Sequence, residues 1–327
     1  MTNAIEIKDL RVSFVSDKKK VEVVSGVSLS VPQGKIVGVV GESGCGKTVT
    51  ALSVMRLIPN PPGSIDSGKI IFDGGDLLSY SDRDMRAVRG NRISMIFQEP
   101  ISSLNPVFTV GNQIGEALKT HTKLSNSEIK DRVIELLNLV GIPAPERRMN
   151  NYPHEMSGGM SQRVMIAMAL SCHPEVLIAD EPTTALDVTI QAGILELIED
   201  LRVKMGMAVL LITHDLGIIA EVADEVYVMY AGKVVEHADT RDLFASPKHP
   251  YTVGLLNSIP DLRESKEELN AIPGVVPSPG SYPTGCRFLD RCPMVIDRCR
   301  AQEPPLSDVG VRHYSACFRA HEVKLEG

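Results

Sequence analysis

Nowhere in this chain of 327 residues does an apolar run approach the eighteen or more residues that a membrane-spanning helix needs. The N-terminus, MTNAIEIKDLRVSF, lacks an apolar run behind a basic start, so the chain is expected to stay in the cytosol. Positive charge is not in excess either: 34 Lys and Arg stand against 41 Asp and Glu, a net charge of −7. That balance leaves no basic stripe for a phosphate backbone and argues against nucleic acid as a partner. Long internal repeats and a low-complexity tail are also missing. What is present is 43% hydrophobic residues, ample for a sizeable core in one large or two modest domains.

β-Branched runs recur between helical stretches: AIEIKDLRVSF, VEVVSGVSLSV, KIVGVVG, RISMIFQ, EVLIAD, MAVLLITH and DEVYVMYAGKVVEH. Several are almost continuously apolar, as strands of a parallel sheet buried on both faces are, while the first two alternate and predict an antiparallel edge. Between Gln98 and Pro174 no strand-like run occurs. Helical spacing instead marks NQIGEALKTHTKL, SNSEIKDRVIELLNLV and GMSQRVMIAMALSC, the second opened by Ser125 and Glu128 as a capping box. An α/β body over 1–248, with a helical insert at about 99–174, is therefore expected. Residues 249–327 form an extension, with a Pro/Gly-dense linker at 273–285 and a small loop-rich appendage beyond it.

GESGCGKT, Gly41 to Thr48, follows an apolar strand and opens a helix. Glycines let backbone N–H groups turn inward around phosphates, Lys47 reaches their oxygens, and Thr48 can ligate Mg²⁺. EVLIADEP ends a strand in two carboxylates, of which Asp180 can hold a metal-bound water and Glu181 can orient or deprotonate an attacking one. MSGGMSQR, Met156 to Arg163, reads by itself as a helix start capped by Ser157.

The ordered set GESGCGKT, FQEP, MSGGMSQR, DEPTTALD and LLITHD resembles the nucleotide-binding subunits of ABC transporters. That resemblance implies a P-loop cassette: a parallel-sheet core, an antiparallel β subdomain and a helical subdomain. It implies an ATP site drawn from Phe14, Gly41, Ser43, Gly44, Cys45, Gly46, Lys47, Thr48, Val49 and Gln98, with Mg²⁺ on Thr48, Gln98 and Asp180. Glu181 would be the catalytic base and His214 the switch on the γ-phosphate. Ser157, Gly158, Gly159, Met160 and Gln162 would act on the ATP of a second cassette, and Asp187 would reach across that dimer. Phe14 fits adenine stacking or a core position equally. Met156 replaces the usual Leu, a size-matched swap. Cys45 stands where many relatives have Ser, and either a reactive thiolate or a small residue that fits is consistent with it.

Finer stretches, from MIFQEPISSLNPVFTVGNQI through HPYTVGLLNSIP to GCRFLDRCP and YSACF, resemble the D-type ATP-binding subunit of oligopeptide and dipeptide importers. The resemblance implies an ATPase at the cytoplasmic face of the cell membrane. Its implied partners are a second, homologous ATPase chain, two transmembrane permease subunits docking near Gln98 to Pro106, and an extracytoplasmic peptide-binding protein. A nickel or glutathione importer of the same branch, and a soluble ABC ATPase that moves no solute, are the alternatives.

Cys286, Cys292, Cys299 and Cys317 are spaced C-x5-C-x6-C-x17-C, too loose for the usual zinc knuckle. Four thiolates with Pro293 after Cys292 suit a [4Fe-4S] cluster, and Arg287, Arg291, Arg298 and Arg300 would offset its charge. Some members of the resembled family carry such a cluster. Zinc and small buried cysteines remain alternatives; Cys172, on an apolar helix, suits the latter. Any metal is expected to act as a staple for an appendage with little core of its own, leaving ATP binding unaffected.

Overall fold

A computed structural model of the chain describes residues 2–16, 19–99, 103–184, 187–258 and 272–325. Two compact units emerge: Met1–Ala4, Pro32–Lys35 and Ser79–Leu211 make the first, and Ile5–Val31, Ile36–Leu78 and Ile212–Gly327 the second. The strands in chain order are β1 (Asn3–Ser16), β2 (Lys19–Pro32), β3 (Ile36–Val40), β4 (Gly63–Phe72), β5 (Gly75–Asp76), β6 (Ile93–Ile96), β7 (Val176–Asp180), β8 (Ala208–Thr213), β9 (Glu225–Tyr230), β10 (Lys233–Asp239), β11 (Ser307–Gly310) and β12 (His313–Ser315).

In the second unit one sheet runs β2-β1-β4-β5, with β1 and β4 antiparallel from Ile5 opposite Phe72 to Phe14 opposite Gly63. The alternating pattern of β1 predicts this antiparallel pairing. Its partner β4 is invisible in the sequence because GSIDSGKIIF, apart from Ile65, carries no apolar side chain until its last three residues. The same unit holds β11-β12-β10-β9-β3, mixed in direction: β3 and β9 are parallel, whereas β10 is antiparallel to β9 and to β12. Every residue of β3 and β9 is buried, as their unbroken apolar runs require.

In the first unit β8, β7 and β6 are neighbours, and β6 runs parallel to β7 from Ile93 opposite Val176 to Ile96 opposite Ala179. Described residues between 97 and 175 contain helices and no strand. Ser125 and Glu128 do form a reciprocal capping box on the Asn126–Leu139 helix. Val110, Ile114 and Leu118 line one buried stripe of the Val110–His121 helix. Gly115 lets the two helices close up, since a Cβ there would lie 3.2 Å from Ile129 Cγ2.

The C-terminal segment has no separate core. Phe288, 2% exposed, packs edge-on to Tyr230 at 5.2 Å and against Tyr251 and His249 at 5.4 and 5.8 Å. Glu236, fully buried, binds it a second time: its carboxylate accepts the Lys248 and His249 N–H groups and His313 Nε2 of β12. An appendage short of apolar residues thus borrows the core of the unit it belongs to.

His249 caps the Pro250–Asn257 helix, its Nδ1 accepting the Tyr251 N–H at 3.1 Å. Burial lowers its pKa to about 3, so the ring stays neutral as an acceptor must. A depressed imidazole pKa gives stability that is complete above about pH 6.5 and declines as pH falls toward 3, because only the unfolded chain binds the proton. The unfolding free energy of the native chain is therefore expected to fall by about 2 kcal/mol more than that of His249→Asn between pH 7 and 5. Parallel denaturant titrations at the two pH values check this, and equal declines would refute it.

Candidate functional site

The phosphate loop lies in the second unit, between β3 and the Lys47–Val54 helix. Three of its glycines take backbone angles that side chains resist: φ is 153° at Gly41, 79° at Gly44 and 100° at Gly46, the helix N-cap. At Gly41 a Cβ would stand 2.2 Å from the Met229 carbonyl oxygen, so only glycine lets the loop rest on β9. Lys47, 5% exposed, curls back and donates from Nζ to the Gly41 carbonyl at 2.7 Å and the Glu42 carbonyl at 3.1 Å. Nζ also lies 3.8 Å from Cys45 Sγ, and a buried ammonium held by neutral groups such as these is a site that an anion would complete. Ser43 and Gly44 are exposed, while Thr48 and Val49 are half-buried on the first helical turn.

Cys45 is 1% exposed beneath the loop, and the Gly232 N–H donates to its carbonyl. Burial raises the thiol pKa more than the nearby Lys47 lowers it, which decides between the two readings of this residue: it is a small residue that fits. Phe14 is half-buried on β1 beside Gly63. His214 is exposed just after β8, ahead of Asp215, whose carboxylate caps the Leu216–Val222 helix.

In the first unit Asp180, 2% exposed, ends β7. Glu181 follows at φ 47°, a left-handed conformation that costs a non-glycine residue about 1 kcal/mol. Its Oε2 accepts from Gln98 Nε2 at 3.0 Å and from Thr184 Oγ1 at 2.9 Å. Thr184 was not among the residues singled out by sequence; its place three residues past Glu181 is the signal that could have found it. Ser157 caps the Gly158–Leu170 helix through the Met160 N–H, so the ordinary capping reading holds for its hydroxyl. Gln162, 1% exposed, donates to the Pro182 carbonyl. Gly159 faces Ile190, to which a Cβ would come within 3.0 Å. Asp187 caps the Val188–Met205 helix through the Ile190 N–H, whereas Ala185 and Leu186 of the same motif lie outside the described residues, as does Pro100 of FQEP.

The four C-terminal cysteines share the second unit. Three accept a backbone N–H from two residues on: Phe288 to Cys286, Met294 to Cys292 at 3.3 Å, and Arg319 to Cys317 at 3.4 Å. Such bonds stabilise a thiolate or a metal-bound sulfur. Burial pushes the Cys286 and Cys317 thiols up to about 12 and about 11, and the neighbouring cysteines push them the same way, so the sulfurs lie within one another's field. Among the described residues no three His, Cys, Asp or Glu side chains are gathered tightly enough for a single metal ion. The four cysteines are therefore not arranged as a metal site in this structure.

Of the arginines expected to offset a cluster's charge, Arg287 ion-pairs with Glu303 and lies over the Tyr282 ring, Arg298 lies over Phe318, and Arg291 is spent on Glu42. Burial raises the Cys292 pKa, and the charge of Arg319, which the sequence did not mark, opposes that rise without cancelling it.

Comparison with known proteins places these features. An ABC transporter profile matches residues 24–184, and a profile for the C-terminal region of oligopeptide/dipeptide transporters matches 235–299. A probable peptide ABC transporter ATP-binding protein of Sinorhizobium fredii is 54% identical over 98% of this chain and 96% of its own length. An oligopeptide transport ATP-binding protein of Bacillus subtilis is 51% identical, covering 100% and 99%. A dipeptide transport ATP-binding protein of Haemophilus influenzae is 50% identical, covering 94% and 93%. Among solved structures, the dimeric post-hydrolysis ATP-binding cassette MJ0796 bound to ADP and Pi superimposes with a TM-score of 0.65 at 25% identity, over 72% of this chain and 99% of that one.

Because its thiol is buried and its pKa raised, Cys45 is expected to react with iodoacetamide at pH 8 at least about tenfold more slowly in the native chain than in the unfolded one. Mass spectrometry of the Cys45 peptide after timed labelling measures this; equal rates would restore the reactive reading.

Proposed function

Since the chain belongs to the family of ATP-binding subunits of oligopeptide and dipeptide ABC transporters, we propose that it binds and hydrolyses ATP to power peptide uptake through a membrane importer. The observation that carries this reading is the match to the oligopeptide/dipeptide C-terminal region, which goes with peptide-importing relatives over nearly the whole chain. Among the described residues no helix is long and apolar enough to cross a membrane, so the path for the peptide is assigned to permease partners. The working assembly is two such permeases, a second ATPase chain and an extracytoplasmic binding protein, with this subunit on the cytoplasmic face.

The residue roles are those that the family resemblance implies. The loop Gly41–Thr48 and the Val49 N–H receive the phosphates, Lys47 exchanges its carbonyl partners for their oxygens, and Phe14 stacks on the base. Thr48, Gln98 and Asp180 serve Mg²⁺. Glu181 orients and deprotonates the attacking water, and His214 contacts the γ-phosphate. Ser157, Gly158, Gly159, Met160 and Gln162 act on ATP held by the partner cassette, with Asp187 at the dimer boundary.

For Cys286, Cys292, Cys299 and Cys317 the proposed occupant is a [4Fe-4S] cluster, which when bound would cross-link the Leu289–Arg291 turn, the Asp297–Ala301 helix and the segment after β12. The N–H donors from Phe288, Met294 and Arg319 support the reading because they stabilise sulfur in its ligating form.

Glu181→Gln is expected to lower ATP turnover by about a hundredfold or more while leaving the nucleotide dissociation constant within about threefold. Steady-state hydrolysis and a binding titration separate the two effects; a large loss of affinity would remove Glu181 from the role of base. Vesicles reconstituted with the permeases and binding protein should accumulate labelled di- and oligopeptides only with ATP, and uptake of nickel or glutathione instead would redirect the substrate assignment. Because neutral thiols with raised pKa must lose protons to ligate, reconstitution with iron and sulfide is expected to decline as pH falls from 8 toward 6. Visible absorption with iron and sulfide analysis follows it, and a pH-independent yield would count against thiolate ligation.

A further inference from the structure

Glu42 is the second residue of GESGCGKT, a position that the phosphate-loop pattern leaves open. A carboxylate there is unexpected on electrostatic grounds, since it places negative charge in a loop built to receive phosphates. The structure shows where that charge goes. Arg291 Nη1 and Nη2 clasp the two oxygens of Glu42 at 2.7 and 2.9 Å, a fork-on-fork pair with the arginine side chain only 4% exposed. The backbone of Glu42 is held as well: its N–H donates to Tyr251 Oη at 2.8 Å, and its carbonyl accepts from Lys47 Nζ.

Arg291 has its own fixed seat. Nε donates to the Pro273 carbonyl at 2.9 Å and Nη2 to the Ile272 carbonyl at 3.3 Å, so its donors are committed on two sides. It closes the short Leu289–Arg291 turn, bracketed by Cys286 and Cys292. The turn is anchored without any help from Glu42, through Phe288 in the aromatic cluster of Tyr230 and Tyr251 and through Arg287 on the Ala231 carbonyl. The fork on Glu42 is therefore not what keeps the segment in place. What it fixes is the phosphate loop.

We propose that Arg291 is a positioning residue for the phosphate loop, through which the cysteine-bearing segment draws the Glu42 carboxylate aside and holds the loop open to nucleotide phosphates. The inference rests on the reading of Gly41–Thr48 as the ATP-binding loop. It reverses the expectation that the appendage leaves ATP binding unaffected, because the two are joined by a half-buried ion pair within one compact unit.

The test uses the full-length chain and MgATP. Arg291→Met strands a carboxylate in the loop and should raise the nucleotide dissociation constant about tenfold or more, with kcat at saturating ATP within about threefold, since Arg291 touches no reacting atom. Arg291→Lys, which keeps the charge but not the fork, should recover part of the loss. The decisive arm is the double variant Arg291→Met with Glu42→Gln: removing the stranded charge should restore affinity toward the native value. A role confined to folding the appendage would give no such rescue. Native far-UV circular dichroism and melting, with an unchanged dissociation constant in Arg291→Met, would overturn the proposal, as would a loss that Glu42→Gln fails to relieve. Should Arg291→Met not fold, Arg291→Gln replaces it, with the same expected loss and the same rescue by Glu42→Gln; undiminished affinity in folded Arg291→Gln would overturn the proposal. A wild-type chain that binds no nucleotide would overturn the ATPase reading and this inference together, whereas native binding with indifferent variants overturns this inference only.

Discussion

How near the backbone of the phosphate loop lies to strand β9 governs much of the second unit. With 2.2 Å between a hypothetical Gly41 Cβ and the Met229 carbonyl oxygen, no side chain fits. The loop is therefore seated directly on the sheet, and its neighbours inherit the constraint. Cys45 is pressed beneath it, where burial raises its thiol pKa. Lys47 turns back over the loop and lies along the Gly41 and Glu42 carbonyls. Glu42, at the rim, is left with a charge that must be directed away from the loop interior, and the arginine that takes it comes from 249 residues further along the chain.

That long-range tie changes what the C-terminal segment is for. With few apolar residues of its own, it would read as a metal-stapled tail. Phe288 contradicts independence: burying one phenylalanine among Tyr230, Tyr251 and His249 is worth about 2–3 kcal/mol, comparable to a modest cross-link. Glu236 adds a polar anchor between β10, the His249 turn and β12. A metal bound by the cysteines would then act on loops already docked, refining the position of the Leu289–Arg291 turn rather than creating it.

Much of this was legible from residue order, for physical reasons that differ from element to element. The buried strands β3, β7, β8 and β9 announce themselves by unbroken apolar runs, because a strand covered on both faces has no polar side to show. The phosphate loop is legible because its glycines answer a local need. Strand β4 is not, since Ile65 is the one apolar side chain among its first seven residues and it is defined by pairing with β1. Strands β11 and β12 are short and partly exposed, formed by pairing rather than by pattern. At the site, Thr184, Arg319 and the Arg291–Glu42 pair escaped notice for a common reason: each acts through a partner that only folding brings near, and an arginine among cysteines looks in sequence like a counter-charge.

The first unit shows the same logic at a smaller scale. A left-handed φ at Glu181 persists only where surroundings over-determine it. Gln98 and Thr184 fix the carboxylate, and Gln162 fixes the backbone just beyond it by donating to the Pro182 carbonyl. Gln162 belongs to the segment that the family resemblance assigns to the partner's nucleotide, yet here its buried amide holds the turn that carries the proposed base of its own chain. The Gly158–Leu170 helix and the turn that follows β7 are therefore joined by the Gln162–Pro182 hydrogen bond.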